Sequence, residues 1–414
     1  MKEENNRVQR LVIKVGSNVL TRLDGTLDVT RMSALVDQVA ELRQRGIEVI
    51  LVSSGAVASG RSEVQAVKKL DSVEQRQLFS AVGQAKLINR YYELFSEHHM
   101  AVGQVLTTKE NFGTRRHYLN QKRCMNVMLE NGVIPIVNEN DTISVTELMF
   151  TDNDELSGLI ASMMDAQLLV ILSNIDGIYN GNPADSTSEV IREIAPGMDL
   201  DNYIQTGKSS FGRGGMITKT RIARQVADEG ITVVIANGRR EQILIQLIEA
   251  LEEKPLSAET ASAATTAATA AATTTAATTT AAATTTAATA AATLPTTSAQ
   301  ALPFTRFIPA TTPTSSVKKW IAHSEGFAKG EIHLNAAASA LLLEEKPISI
   351  LPVGITAVKG EFEKDDIVRI IGNDGQSLGV GRVSCNAAQV SAVMGKHGKK
   401  PVVHYDYLCI DTNL

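Results

Sequence analysis

The chain has 414 residues, 43% of them hydrophobic and 21% charged, with a formal net charge of −5. A chain of this size builds two or three domains with the balance of a soluble globular protein, and its negative charge argues against a general nucleic-acid binder, which needs a basic face. No run is long and apolar enough to span a membrane, and the polar start MKEENNRVQR precedes too short an apolar run for a signal peptide.

Arg10–Val15 (RLVIKV) reads as a buried strand that stops at Gly16–Ser17. Lys14 is its anomaly, a charge inside an apolar strand. A strand-end lysine followed by Gly-Ser suits a phosphate site: glycine lets backbone N–H groups approach an anion, and the ammonium supplies a point charge. A Walker A loop is absent, and an edge-strand lysine is the competing reading. Val29–Arg45 has helical periodicity and ends at Gly46. Ile47–Val52 is the next strand and runs into Ser53–Ser54–Gly55–Ala56. Small residues between a strand and a helix let a ligand approach backbone amides, or simply pack tightly. Gln75–Phe95 reads as helix, Ala101–Thr107 as strand and Tyr118–Asn131 as helix up to Gly132.

Ile134–Val137 is a short buried strand that ends abruptly in Asn138, Glu139, Asn140 and Asp141. One loop later, Asp152–Asn153–Asp154 opens an apolar helical run, Leu156–Met164. Amides and carboxylates at the carboxyl end of a buried strand lie where open α/β sheets bind ligands. Amides grip a carboxylate or an ammonium; aspartates hold an ammonium, a lysine or Mg²⁺. The competing reading is a solvated loop with Asp154 as a helix N-cap. Gln167–Leu172 is another buried strand, turning at Ser173–Asn174. Ser209–Lys219 is a glycine-rich loop leading into a helix, Thr218–Glu229, and Ile231–Ala236 is a further strand. Alternating buried strands and helices spell an α/β/α sandwich around a mostly parallel sheet.

Five motifs occur in order: Lys14-Val-Gly-Ser17, Ser53-Ser-Gly-Ala56, Asn138-Glu-Asn-Asp141, Asp152-Asn-Asp154 and Gly214-Gly-Met-Ile-Thr-Lys219. From Arg10 to about Leu251 the set resembles the amino-acid kinase family, in particular its members that phosphorylate the side-chain carboxylate of L-glutamate. From about Val317 to the end the chain resembles the PUA domain that many such kinases carry. The resemblance implies phosphoryl transfer from MgATP to glutamate, giving γ-glutamyl phosphate, the start of proline biosynthesis. It implies Lys14 and Lys219 on either side of the transferring group, oriented by Asp154. Ser54, Asp141 and Asn153 would bind glutamate, with Asn138 nearby. Lys14, Ser173, Asn174, Gly214, Gly215, Met216 and Lys219 would hold ATP, and no residue is assigned to a protein metal site.

Feedback inhibition by proline, homo-oligomerisation, hand-off of the labile product to glutamyl-phosphate reductase and a cytoplasmic location are further expectations of the resemblance. The chemistry is coherent: the nucleophile is already a carboxylate, so positioning and charge neutralisation suffice. The chain departs from the pattern at Ser173–Asn174, where relatives often carry Thr-Asp, and at Arg213, where they often carry Thr. Two rivals are a kinase for another small acid, such as aspartate, N-acetylglutamate or carbamate, and an RNA-binding scaffold with an inactive kinase domain. An acidic Asp141 suits a free α-ammonium, which N-acetylglutamate lacks. The intact lysine pair argues against the scaffold.

The expected organisation is a kinase domain over 1–257, a linker over 258–316 and a small mostly-β PUA-like domain over 317–414. Ala258 to Thr293 is almost wholly Ala and Thr, followed by Leu294-Pro-Thr-Thr-Ser298. Alanine favours helix, threonine opposes it, and few large side chains are offered for burial, which predicts a linker without a catalytic part. Beyond it, Trp320–Ile321, Glu331–Leu334, Ile367–Ile371 and Leu378–Ser384 read as short strands, with Gly372-Asn-Asp-Gly375 as a hairpin turn and Ala336–Glu345 as a helix. From Val317 onward 11 Lys+Arg face 11 Asp+Glu, so no net basic charge supports RNA binding. Cys124, Cys385 and Cys409 are far apart, form neither a disulfide framework nor a metal site, and suit a reducing compartment.

Overall fold

A computed structural model describes residues 7–65, 67–144, 150, 152–183, 185, 187–198, 200, 215–252, 302–311, 316–322, 327–343 and 348–410. The Ala/Thr tract 258–293, the segment 294–298, Arg213 and Gly214 lie outside the described residues.

Eight strands build the larger sheet: β1 (Arg10–Val15), β2 (Glu48–Ser53), β3 (Val102–Thr107), β4 (Ile134–Glu139), β5 (Leu168–Ser173), β6 (Glu193–Ile194), β7 (Thr232–Asn237) and β8 (Thr305–Phe307). Their order is β3-β4-β2-β1-β5-β7-β8-β6. β1 to β5 and β7 are parallel, and β8 lies antiparallel to β7. Lys14 pairs in register with Val52 of β2 and Ile171 of β5, so it lies on a central strand and the edge-strand reading falls. The chain fills one side of β1 with β2, β4 and β3, then crosses to β5 and β7 on the other. That reversal falls at the carboxyl ends of β1, β2 and β5, and a crevice at such a switch point is the place where open α/β sheets take ligands.

Helices cover both faces. Leu11, Ile13 and Val15 of β1 point into one core with α2 (Val29–Gln44), α4 (Ser72–Glu97) and α9 (Ile243–Glu252). Val12 points into the other core, with α6 (Arg115–Glu130), α7 (Asn153–Met163) and α8 (Met216–Asp228). Strand alternation therefore sends Lys14 to the face that carries α7 and α8. Short helices α1 (Ser17–Leu20), α3 (Ala56–Arg61) and α5 (Glu110–Gly113) sit at strand ends. α4 starts three residues before the expected Gln75 because Asp71 and Glu74 form a capping box.

Two expectations are corrected. β8 falls within the stretch expected to be linker: Thr305, Arg306 and Phe307 are all buried in the larger sheet. Trp320–Ile321 is not a strand but part of α10 (Ser316–Ala322), since a two-residue apolar run carries no period. Trp320 is buried and its Nε1 donates to the Phe112 carbonyl at 2.8 Å.

The C-terminal part holds a separate five-stranded sheet, ordered β10-β9-β11-β12-β13. These are β9 (Gly330–Leu334), β10 (Ile355–Gly360), β11 (Ile367–Ile371), β12 (Ser377–Val383) and β13 (Val403–Ile410). α11 (Ala336–Leu343) and α12 (Ala387–Val393) flank it. Gly375, at φ +84°, makes the turn between β11 and β12. Ile367, Val380, Tyr407 and Cys409 join Trp320, Phe112 and Phe150 in one apolar cluster, so this sheet shares core with the kinase-like part.

Candidate active site

Three charged side chains meet below the crevice. Lys14 Nζ lies 2.5 Å from Asp154 Oδ1, and Lys219 Nζ lies 3.0 Å from Asp154 Oδ2. The Asp154 side chain is 0% exposed. Each lysine comes from a different element: Lys14 from β1, Lys219 from the first turn of α8. Asp154 stands at the start of α7, whose N-cap is Asp152, not Asp154: Asp152 Oδ1 accepts from Asp154 N at 2.9 Å and Glu155 N at 3.1 Å. That division of labour frees Asp154 to face the lysines. Burial works against ionisation of Asp154, but the Lys14 and Lys219 ammoniums outweigh it and hold the carboxyl below its ordinary value. Burial, then the neighbouring Asp154 carboxylate, raise that of Asp152.

Gly158, one turn beyond Asp154, sets how closely α7 and α8 approach. A Cβ there would sit 2.8 Å from Ile222 Cγ2 and 3.0 Å from Val226 Cγ2, both on α8. Gly16 plays a similar part above Lys14: a Cβ would lie 3.2 Å from the Leu172 carbonyl and 3.5 Å from Lys14 Nζ. The glycine keeps open the space over the ammonium, as a phosphate cradle requires.

An amide cluster lies on the β2/β4 side. Asn153 Nδ2 donates to Ser54 Oγ at 2.9 Å, Asn138 Oδ1 at 3.0 Å and the Ser53 carbonyl at 3.3 Å. Asp141 follows on the turn after β4. Arg76 of α4 reaches it, with Nε 2.5 Å from Asp141 Oδ1 and Nη2 2.5 Å from Glu139 Oε2. Burial pushes the Glu139 carboxyl up to about 7, against the pull of Arg76.

On the β5/β7 side, the Ser173 carbonyl accepts from Gly238 N at 2.8 Å. Ser173 Oγ donates to Asn174 Oδ1 at 3.4 Å. Asp176 ties the two turns together, accepting from Asn237 Nδ2 at 3.0 Å and from Arg240 Nε and Nη2 at 2.7 and 2.8 Å. Gly215 caps α8, and Met216 opens it.

The structure thus brings Lys14, Asp154 and Lys219 into contact, and Ser54, Asn138 and Asn153 into a second contact set. Asp141 is linked to Glu139 through Arg76. Ser173, Asn174, Gly215 and Met216 stand at the strand and helix ends of the other side, and Gly214 is outside the described residues. Arg76, Asp152 as a cap and Gly158 escaped the sequence reading. A charged residue on a long helix looks solvated; only the capping box at Asp71 and Glu74 could have fixed the start of α4 and its inner face.

The sequence profile of the amino acid kinase family matches residues 9–237, and that of the PUA domain matches residues 330–405. The glutamate 5-kinase of Bacteroides thetaiotaomicron is 65% identical, with 99% of this chain and 100% of that one covered. The glutamate 5-kinase of Chlorobaculum tepidum is 41% identical, with 99% of each chain covered. With its parallel sheet, its buried lysine–aspartate–lysine triad and these matches, the chain belongs to the amino acid kinase family and carries a C-terminal PUA domain.

Proposed function

We propose that the protein is a glutamate 5-kinase, transferring the γ-phosphoryl group of ATP to the side-chain carboxylate of L-glutamate. The product is γ-glutamyl phosphate, and the pathway proline biosynthesis. The observation that carries this reading is the buried Lys14–Asp154–Lys219 triad between an amide-carboxylate cluster and a pair of strand-end turns.

The acceptor carboxylate is its own nucleophile, so the chain supplies position and positive charge instead of a base. In this reading Asp141, Asn153 and Ser54 hold glutamate, with Asn138 supporting Asn153. The γ-carboxylate oxygen bonds to the γ-phosphorus, and the bond from that phosphorus to the β-phosphate oxygen breaks. Lys14 and Lys219 stabilise the equatorial oxygens as negative charge develops. Asp154 keeps both ammoniums in place and takes no proton. Ser173, Asn174, Gly214, Gly215 and Met216 hold the nucleotide.

The donor set fits MgATP: Gly16 leaves room over an ammonium, and Asp152 Oδ2 is buried without a hydrogen-bond partner. Mg²⁺, when bound with the phosphates, adds neutralising charge. Among the described residues no group of three or more His, Cys, Asp or Glu forms a metal cluster.

The catalytic domain is read as residues 1–257, completed by β8, and residues 317–414 as an accessory domain. Proline inhibition, homo-oligomerisation, product transfer to glutamyl-phosphate reductase and a cytoplasmic location belong to the same reading; RNA binding does not. No described helix is long and apolar enough to cross a membrane. The test is hydroxylamine trapping of the acyl phosphate with L-glutamate, L-aspartate and N-acetyl-L-glutamate, with and without proline. Hydroxamate from glutamate alone, suppressed by proline, is expected. No hydroxamate from glutamate, or equal amounts from N-acetylglutamate, overturns the reading.

A further inference from the structure

Arg76 is built into the substrate side of the crevice more firmly than a surface arginine would be. It lies in the second turn of α4, whose first turn is fixed by the Asp71–Glu74 capping box. α4 is in turn locked onto the turn after β2: a Cβ at Gly83 would sit 1.8 Å from the Ala56 carbonyl, and one at Gly60 1.8 Å from the Phe79 carbonyl. The helix that carries Arg76 is therefore indexed to the segment that carries Ser54. It also grips the turn after β4, with Gln77 Nε2 donating to the Thr142 carbonyl at 3.1 Å and Gln84 Nε2 to the Glu139 carbonyl at 3.3 Å.

The guanidinium spends two of its edges on two different carboxylates, Asp141 and Glu139. Both acids are buried. Like charges at low dielectric repel, so the pair needs a cation to hold one geometry. A planar fork fixes both acids at once; a lysine, a point charge, cannot. Glu139 spends its other oxygen inward, accepting from Phe150 N at 3.0 Å. Asp141, on the turn, is the acid that the proposed function gives to the substrate.

We propose that Arg76 is the positioning residue that sets the specificity of the amino-acid half-site. Its fork fixes Asp141 and offsets an ionised Glu139, so that no more than one net negative charge meets the α-ammonium of the substrate. This rests on the reading of the half-site as the glutamate pocket.

The test is steady-state kinetics of the full chain, by hydroxamate formation, for wild type, Arg76→Met, Arg76→Lys and the double variant Arg76→Met/Glu139→Gln. Arg76→Met raises KM for glutamate about tenfold to a hundredfold, the loss of charge-assisted bonds to a buried acid. KM for ATP stays within about twofold, because the nucleotide side does not touch Arg76. Arg76→Lys falls between the two. Assayed at a pH where Glu139 is ionised, Glu139→Gln in the Arg76→Met background removes the acid that Arg76 offset, so KM for glutamate recovers several-fold, a non-additive rescue that a merely structural role would not give. An Arg76→Met enzyme with unchanged KM for glutamate, or one whose KM values for both substrates rise together without rescue, overturns the assignment of Arg76 alone. Wild-type protein that makes no glutamyl hydroxamate overturns the substrate reading and the role of Arg76 with it.

Discussion

Asp154→Asn is the sharpest perturbation of the site, because it changes one charge and almost no volume. Asp154 lies between the Lys14 and Lys219 ammoniums at 2.5 and 3.0 Å, with its side chain 0% exposed. Removing the carboxylate leaves two buried cations facing each other. Breaking a buried ion pair in this way costs about 3–5 kcal/mol. The lysines then separate, and the stabilisation they give to the transferring phosphoryl group is lost, a drop in kcat of about a hundredfold to a thousandfold. Lys219→Met should lower kcat by a similar factor with a smaller loss of stability, since Lys14 and Asp154 remain paired. Urea denaturation reads the first quantity and hydroxamate formation the second. An Asp154→Asn protein with kcat within about tenfold of wild type, beside inactive lysine variants, would refute the claim that Asp154 places the lysines.

Glu139 gives a pH dependence. Its folded carboxyl titrates at about 7 against an ordinary 4.5, so within that window the folded protein holds a proton that the unfolded chain has released. Stability is therefore greatest at the acid end and falls as pH rises through the window, by at most about 3 kcal/mol. Urea midpoints at about pH 5 and about pH 7.5 measure the fall, and Glu139→Gln should flatten it. Gly158→Val should push α7 from α8, costing about 1–3 kcal/mol and up to about a hundredfold in kcat, read by the same two assays. Trp320→Ala should cost about 3–5 kcal/mol and Trp320→Phe, which loses the bond to Phe112 and part of the buried ring, about 1–3 kcal/mol. Calorimetry of both variants tests whether the two sheets share one core; an unchanged Tm for Trp320→Ala refutes it.

What could be read without coordinates is what local pattern encodes. Strand ends carry the candidate site, and strands announce themselves: Lys14, Asn138 and Ser173 each stand where an apolar run stops. The period of two even holds the reason Lys14 meets α7, since Leu11, Ile13 and Val15 claim one face and leave Val12 and Lys14 the other. What stayed hidden depends on pairs distant in sequence. Arg76 stands 65 residues from Asp141, and the capping box beside it marks where α4 starts but not what Arg76 meets. β8 has only three residues and takes its place by pairing with β7 across the chain. Asp152 and Asp154 differ in role by which side chain turns back to cap α7, a choice that composition cannot express.

The charges along the crevice also give it a direction. Lys14 and Lys219 against Asp154 leave one net positive charge at the triad, with the Asp152 carboxyl, its pKa raised by burial, beside it. Above about pH 7, where Glu139 is ionised, Arg76 against Asp141 and Glu139 leaves one net negative charge at the turn after β4. The Asn138, Asn153 and Ser54 cluster joins the two ends with neutral hydrogen-bonding groups. An acidic amino acid carries the complementary pair: an ammonium at one end and a second carboxylate at the other. Placed with its ammonium toward Asp141, it points its side-chain carboxylate at the lysines, where that carboxylate must lie to attack a phosphoryl group. Reversed, it sets like against like at both ends, a penalty that grows in a buried site. In the proposed reading, selection of the substrate and orientation for the reaction follow from one charge layout, and neutralising either end should damage both together.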